Sequence, residues 1–179
     1  MKIKLMDVIP VSAKNLAKNK DLTYTSKFLN ADTTVDVCQI EEGAVTIECE
    51  YDEALNAPHA VELCIQAEQN GYQGCFIDCF GDPGVRAARE CVDIPVFGGF
   101  EPAIHIALGL GDRIGIVTVL KNIYAMLRGN VAKAHLGGRV VSIRSIDIPV
   151  LELHQLDKVI NAMVNTSIRM IEEDGVEVI

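Results

Sequence analysis

The stretch Asp78-Cys79-Phe80-Gly81-Asp82-Pro83-Gly84 holds the residue types best suited to chemistry. It follows the apolar run Cys75-Phe76-Ile77, which reads as a buried strand. Asp82 is a residue type that caps helix N-termini, and Pro83 suits a first helical position. The sequence therefore predicts a strand that ends at the thiol and a helix that begins just after it. In open α/β sheets ligands bind beyond the carboxyl ends of strands. A thiol placed there, with helix N–H groups nearby, can act as acid, base or nucleophile. The competing reading is a strand cysteine packed as a small hydrophobe, and the glycine-rich turn directly after Cys79 is what separates it from that. Asp78 and Asp82 are expected to raise the thiol pKa and the helix N-terminus to lower it.

The remaining candidates are weaker. Cys75 and Cys79 on one strand would stand about 13 Å apart, beyond disulfide reach and too far for one zinc ion. With no CxxC present, no metal site is expected. His59, His105, His135 and His154 form neither HxH nor HExxH and read as surface or packing residues, with a Cys-His pairing left open. Gly109-Leu110-Gly111-Asp112-Arg113 precedes a strand, whereas a dinucleotide fingerprint must follow one. Without a Walker A motif either, no cofactor is expected. Ser12 and Thr118 follow the first strand of each half, where helix capping and ligand contact use the same hydroxyl geometry, and no GxSxG elbow surrounds either. Glu48 and Glu101 read as solvated carboxylates in strand-to-helix connections.

The elements that must position these groups follow a repeated β-α rhythm. Lys2–Ile9 reads as a first strand, then a helix from the Pro10-Val11-Ser12 turn to Phe28-Leu29, a strand over Thr34–Cys38 and a long polar loop over Glu41–Glu50. Helical spacing from Asp52 to Asn70 stops at Gly71. The Cys79 strand and a helix through Arg89 follow. Ile94–Phe97 and Ile114–Val119 are further buried strands, with helices over about 102–110 and 121–135. Arg139–Ile143 is another strand. Leu156, Ile160, Met163, Val164 and Ile171 then mark an amphipathic helix ending at Gly175, and Val176–Ile179 begins a strand. This predicts an α/β fold of two lobes with mostly parallel sheets, 1–95 carrying Cys79 and 96–179.

Of the 179 residues 49% are hydrophobic, enough for a real core. The net charge of −9, with no Lys/Arg run and 5% aromatics, argues against nucleic acid and anionic membranes as partners. The expected partners are a small-molecule substrate and further copies of the chain. No secretory signal or membrane-length apolar run is seen, so the six cysteines read as reduced thiols of a cytoplasmic protein.

The chain resembles the aspartate/glutamate/hydantoin racemase family, nearest its hydantoin and allantoin racemase branch. The resemblance rests on Ile47-Glu48 ahead of Tyr51-Asp52-Glu53-Ala54-Leu55, on Ile77 to Gly84, and on Asp93-Ile94-Pro95-Val96. It continues through Val117-Thr118-Val119-Leu120, Ser142 to Val150 and Glu172 to Ile179, and Cys-Phe-Gly-Asp-Pro-Gly is its specific part. It implies a cofactor-independent racemase with two Rossmann-like lobes, its active site in the cleft between them and one cysteine from each lobe flanking a carbon next to a carbonyl. One thiolate would remove the proton and the opposite thiol would return one. By resemblance Cys79 is one of that pair, Phe80 and Gly81 supply backbone donors, and Pro10, Val11, Ser12, Ile47 and Thr118 line the substrate pocket. The family's Asn-Pro-Asn-Thr turn is here Ile9-Pro10-Val11-Ser12, and Val11 lacks the polar contact of Asn. The family's second cysteine follows the last strand, and Gly175-Val176-Glu177-Val178-Ile179 stops short of that turn, so the second lobe is expected to be incomplete. Aspartate or glutamate racemisation, a related dicarboxylate isomerase, and a non-catalytic binding remnant are the alternatives.

Overall fold

The computed structural model describes residues 2–179, without the side chain of Tyr24. They form two compact units, one of residues up to Val45 and Tyr51–Gly99, the other of Thr46–Glu50 and Phe100–Ile179.

The described part of the first unit runs β1 (Ile3–Ile9), α1 (Leu16–Asn19), α2 (Thr23–Ser26), β2 (Thr33–Gln39), α3 (Glu50–Gln69), β3 (Gly74–Ile77), α4 (Val85–Cys91) and β4 (Val96–Phe97). Its sheet is parallel throughout, in the order β2-β1-β3-β4. Side chains alternate across a strand, and Val8, Cys75, Ile77 and Val96 take the face that packs on Ala60, Cys64 and Ala67 of α3 and Val85 and Ala88 of α4. The small residues on the helices let both lie close to the sheet. The crossover helices that parallel pairing requires thus also close the core, and they leave the carboxyl ends of β1 and β3 side by side.

The helix expected from Pro10–Ser12 to Phe28–Leu29 is instead two four-residue helices, α1 and α2. Asn15 takes a left-handed conformation (φ 62°) before α1, and Lys20 is extended after it. Asn and Asp side chains compete locally with helical hydrogen bonds, as where the Thr23 N–H donates to Asp21 at 2.8 Å.

The described part of the second unit carries α5 (Phe100–Leu108), β5 (Ile114–Thr118), a 3₁₀ turn leading into α6 (Tyr124–Lys133), β6 (Val140–Ser145), a second 3₁₀ turn and α7 (Leu156–Asp174). β5 and β6 pair in parallel, and the expected last strand is present as a bridge between Ile114 and Val178. Arg144 forks onto the Asp174 carboxylate at 2.7 and 2.8 Å, and the Ser142 hydroxyl donates to the same group at 2.6 Å. Arg113 donates to the Asp174 and Gly175 carbonyls. These contacts fix the rotation of α7, so Thr166 and Met170 face inward, while Leu156, Ile160, Met163, Val164 and Ile171 are exposed. The apolar stripe seen in the sequence is therefore the outer face of that helix.

Two carboxylates differ from expectation. Glu48 is half-buried and accepts the Val150 N–H at 2.7 Å, which ties segment 46–50 to the second unit. Glu101 lies in the first turn of α5 rather than in a loop.

The loops at the carboxyl end of the first sheet share one buried support. Asn56 on α3 donates to the carbonyls of Pro10 at 2.8 Å and Ala44 at 3.0 Å, and accepts the Ala44 N–H at 2.6 Å. Replacing it with alanine strands the buried Pro10 carbonyl and two part-buried groups of Ala44, so Asn56→Ala is expected to lower stability by about 2–4 kcal/mol in urea unfolding.

Candidate active site

The backbone around Cys79 turns within one residue of the sheet. The Asp78 N–H still donates to the Val8 carbonyl at 2.8 Å, extending the β1–β3 ladder. The Cys79 N–H then reaches back to Ile77 at 2.8 Å, and the Cys79 carbonyl accepts from Asp82 at 3.1 Å and Gly99 at 3.3 Å. Asp82 has φ 55° and Gly84 φ 75°. α4 begins only at Val85, with Gly84 in the capping position and no side-chain cap bond. The predicted Asp82 cap and Pro83 first position are thus corrected, because the chain spends these residues on a tight loop before the helix starts.

That loop rests on the Gly98-Gly99 pair after β4. A Cβ on Gly99 would lie 3.1 Å from the Phe80 Cα, and one on Gly98 would collide with the Asp82 carboxylate. Both glycines are needed for this close approach.

The sulfur of Cys79 accepts the Gly81 N–H at 3.4 Å. A loop amide therefore takes the role the sequence gave to the helix N-terminus. Burial pushes the thiol up to about 11, the Gly81 N–H opposes this, and the carboxylates of Asp82, Glu53 and Asp78 add to the rise. At neutral pH the side chain is a protonated thiol whose conjugate base is stronger than an ordinary thiolate.

All six cysteines are free. Cys64 and Cys75 lie in the core, and Cys64 keeps its proton chiefly through its hydrogen bond to Cys75. Cys38 is pushed up to about 12 by burial. Cys75 faces the helices while Cys79 stands past the strand end, so the two serve different surroundings.

The structure brings Pro10, Val11 and Ser12, which follow β1, to the same sheet edge as Cys79, Phe80 and Gly81, which follow β3. Pro10 and Gly81 are buried, and Phe80 is 39% exposed. Ser12 caps no helix. Its hydroxyl donates to the Gly43 carbonyl at 2.8 Å and its N–H to Ala44 at 3.1 Å. Ile47 and Thr118 belong to the second unit, where Ile47 is buried and Thr118 ends β5. Sequence reasoning missed Asn56, Lys20, Gly98 and Gly99. The Gly-Gly pair after the β4 run was the one local signal available.

A model of the Asp/Glu/hydantoin racemase family matches residues 19–179. The chain belongs to this family. It is 33% identical over 181 aligned residues to the hydantoin racemase of Pseudomonas sp. (strain NS671), covering all of this chain and 71% of that protein. It is 31% identical to the hydantoin racemase of Paenarthrobacter aurescens, over 81% of this chain and 62% of that one. Its fold superposes on the allantoin racemase of Klebsiella pneumoniae with a TM-score of 0.88 at 26% identity, over 97% of this chain and 71% of that one. This member of the Asp/Glu/hydantoin racemase family thus spans between about three fifths and seven tenths of the length of these relatives.

In this family member the state of the Cys79 thiol can be read directly. Thiolate is the alkylating species, so the rate at Cys79 should rise about tenfold per pH unit and level off only near pH 11. Peptide mass spectrometry after iodoacetamide treatment measures this. A plateau near pH 9 would contradict the desolvated, carboxylate-flanked thiol.

Proposed function

We propose that the chain is a cofactor-independent racemase acting on a carbon next to a carbonyl in a hydantoin- or allantoin-like ring, with Cys79 as the proton carrier on one face. The observation that carries this reading is the thiol at the carboxyl end of β3 with the Gly81 N–H on its sulfur, in a chain whose relatives are named hydantoin and allantoin racemases.

The chemistry suits the geometry. A hydrogen beside an amide carbonyl is weakly acidic, and a base works best when its pKa approaches that of the proton it removes. A thiol raised to about 11 by burial is a better match than one near 9. The backbone amide on the sulfur stabilises the thiolate as it forms, and we assign the Phe80 and Gly81 backbone N–H groups to stabilise enolate-like charge. Pro10, Val11, Ser12, Phe80 and Gly81 are the proposed substrate contacts on this sheet edge. Val11 offers only an apolar contact, which suits a ring substituent better than a free carboxylate. The free cysteines support a reducing compartment such as the cytoplasm.

One carrier suffices to exchange the substrate proton with solvent from one face, whereas racemisation also needs an acid on the other. Both are therefore measured on a 5-substituted hydantoin, exchange by NMR in deuterated buffer and racemisation by polarimetry. Cys79→Ala is expected to lower proton exchange by about 10²–10⁴-fold. Undiminished exchange in the Cys79→Ala protein would remove Cys79 from the mechanism.

A further inference from the structure

Three charged groups of the first unit meet beside the thiol, and of these only Asp78 has figured above, through its charge on the thiol. Asp7 on β1 is 6% exposed. Its neighbour Val8 points into the core under α3 and α4, so Asp7 points to the opposite face. Lys20, in the connection between α1 and α2, donates to Asp7 and, at 2.6 Å, to Asp78. Asp7 Oδ1 is buried with no hydrogen-bond partner, so Lys20 holds this carboxylate by its other oxygen. Burial works against the Lys20 charge, but its hydrogen bonds to Asp7 and Asp78 outweigh it and hold the ammonium charged.

This arrangement has a direct consequence for the thiol. Asp78 is the residue before Cys79 and the last to join the β1–β3 ladder. The charged groups acting on the thiol are Asp82 and Asp78 from its own loop and Glu53 from α3, and all are anionic. Lys20 is a cation bonded to one of them. Without it, Asp7 and Asp78 would face each other as like charges, one of them buried.

We propose that Lys20 is a positioning residue for Cys79: its ammonium clamps Asp78 to Asp7, fixing the point from which the thiol loop departs and screening the thiol from the carboxylate beside it. This rests on Cys79 as the proton carrier, but it can be tested on the thiol itself. It also gives the broken helix a purpose, since α1 ends where Lys20 must turn inward. A continuous helix would carry residue 20 along its own axis instead.

The test is the pH dependence of Cys79 alkylation in the intact chain, followed on the Cys79 peptide. Lys20→Met is expected to move the midpoint upward by about half to one pH unit, while Lys20→Arg keeps it near the wild-type value. Asp78→Asn is expected to lower the midpoint more in the Lys20→Met background than in the wild type, because only there is its charge unscreened. Should Lys20→Met fail to fold by circular dichroism, Asp7→Asn/Lys20→Met removes the stranded buried carboxylate together with its cation and must show the same upward shift. An unshifted midpoint in a folded variant without Lys20, or an Asp78→Asn effect of equal size with and without Lys20, would overturn the proposal. Turnover does not enter this readout. A failure to racemise leaves the midpoint comparison intact, and an unshifted midpoint leaves the racemase reading intact.

Discussion

The parallel pairing of β1 with β3 is the constraint on which the candidate site depends. It aligns Leu5 with Gly74 and Val8 with Ile77, and the Asp78 N–H extends the ladder by one bond to Val8. Both strands therefore end at the same level. The Pro10–Ser12 and Cys79–Gly81 turns become neighbours as a result. A register slip would move the core set Val8, Cys75 and Ile77 to the opposite face, so the same burial that stabilises the unit fixes where the thiol emerges.

Around that edge the loops are held by backbone satisfaction more than by side-chain packing. Asn56 answers three backbone groups from two loops. Ser12 joins the first of these loops to Gly43. Gly98 and Gly99 leave room for the Cys79 loop to lie against the end of β4. A loop with its polar groups paired in this way can hold a reactive side chain in place without burying it completely, and Cys79 is half-buried.

Electrostatics set the character of the thiol. Its surroundings are desolvating and anionic, and the loop amide opposes them. Such a setting favours a protonated resting thiol with a strongly basic conjugate, which suits carbon-acid chemistry better than it suits a standing nucleophile. In the second unit the comparable investment of charge, Arg144 and Arg113 on the end of α7, is structural.

The sequence by itself determined the α/β class, nearly all strand positions and the prominence of Cys79, because these follow from local signals: buried apolar runs, glycine stops and a glycine-rich turn after a strand. The motif resemblance pointed to the family that the comparisons then showed. Other features depended on groups far apart in the chain. Where Lys20 ends up, between α1 and α2 and bonded to Asp7 and Asp78, is a contact between distant segments that no local signal carries. Which face of α7 is buried was decided by Arg144 and Ser142 gripping Asp174, although the apolar stripe pointed to the other face. That Gly81, rather than a helix terminus, touches the sulfur depended on how many residues the loop needed before α4 could start. Periodicity records what one segment prefers, whereas hydrogen bonds and charges between segments exist only once the strands have paired, and tertiary structure alone decides them.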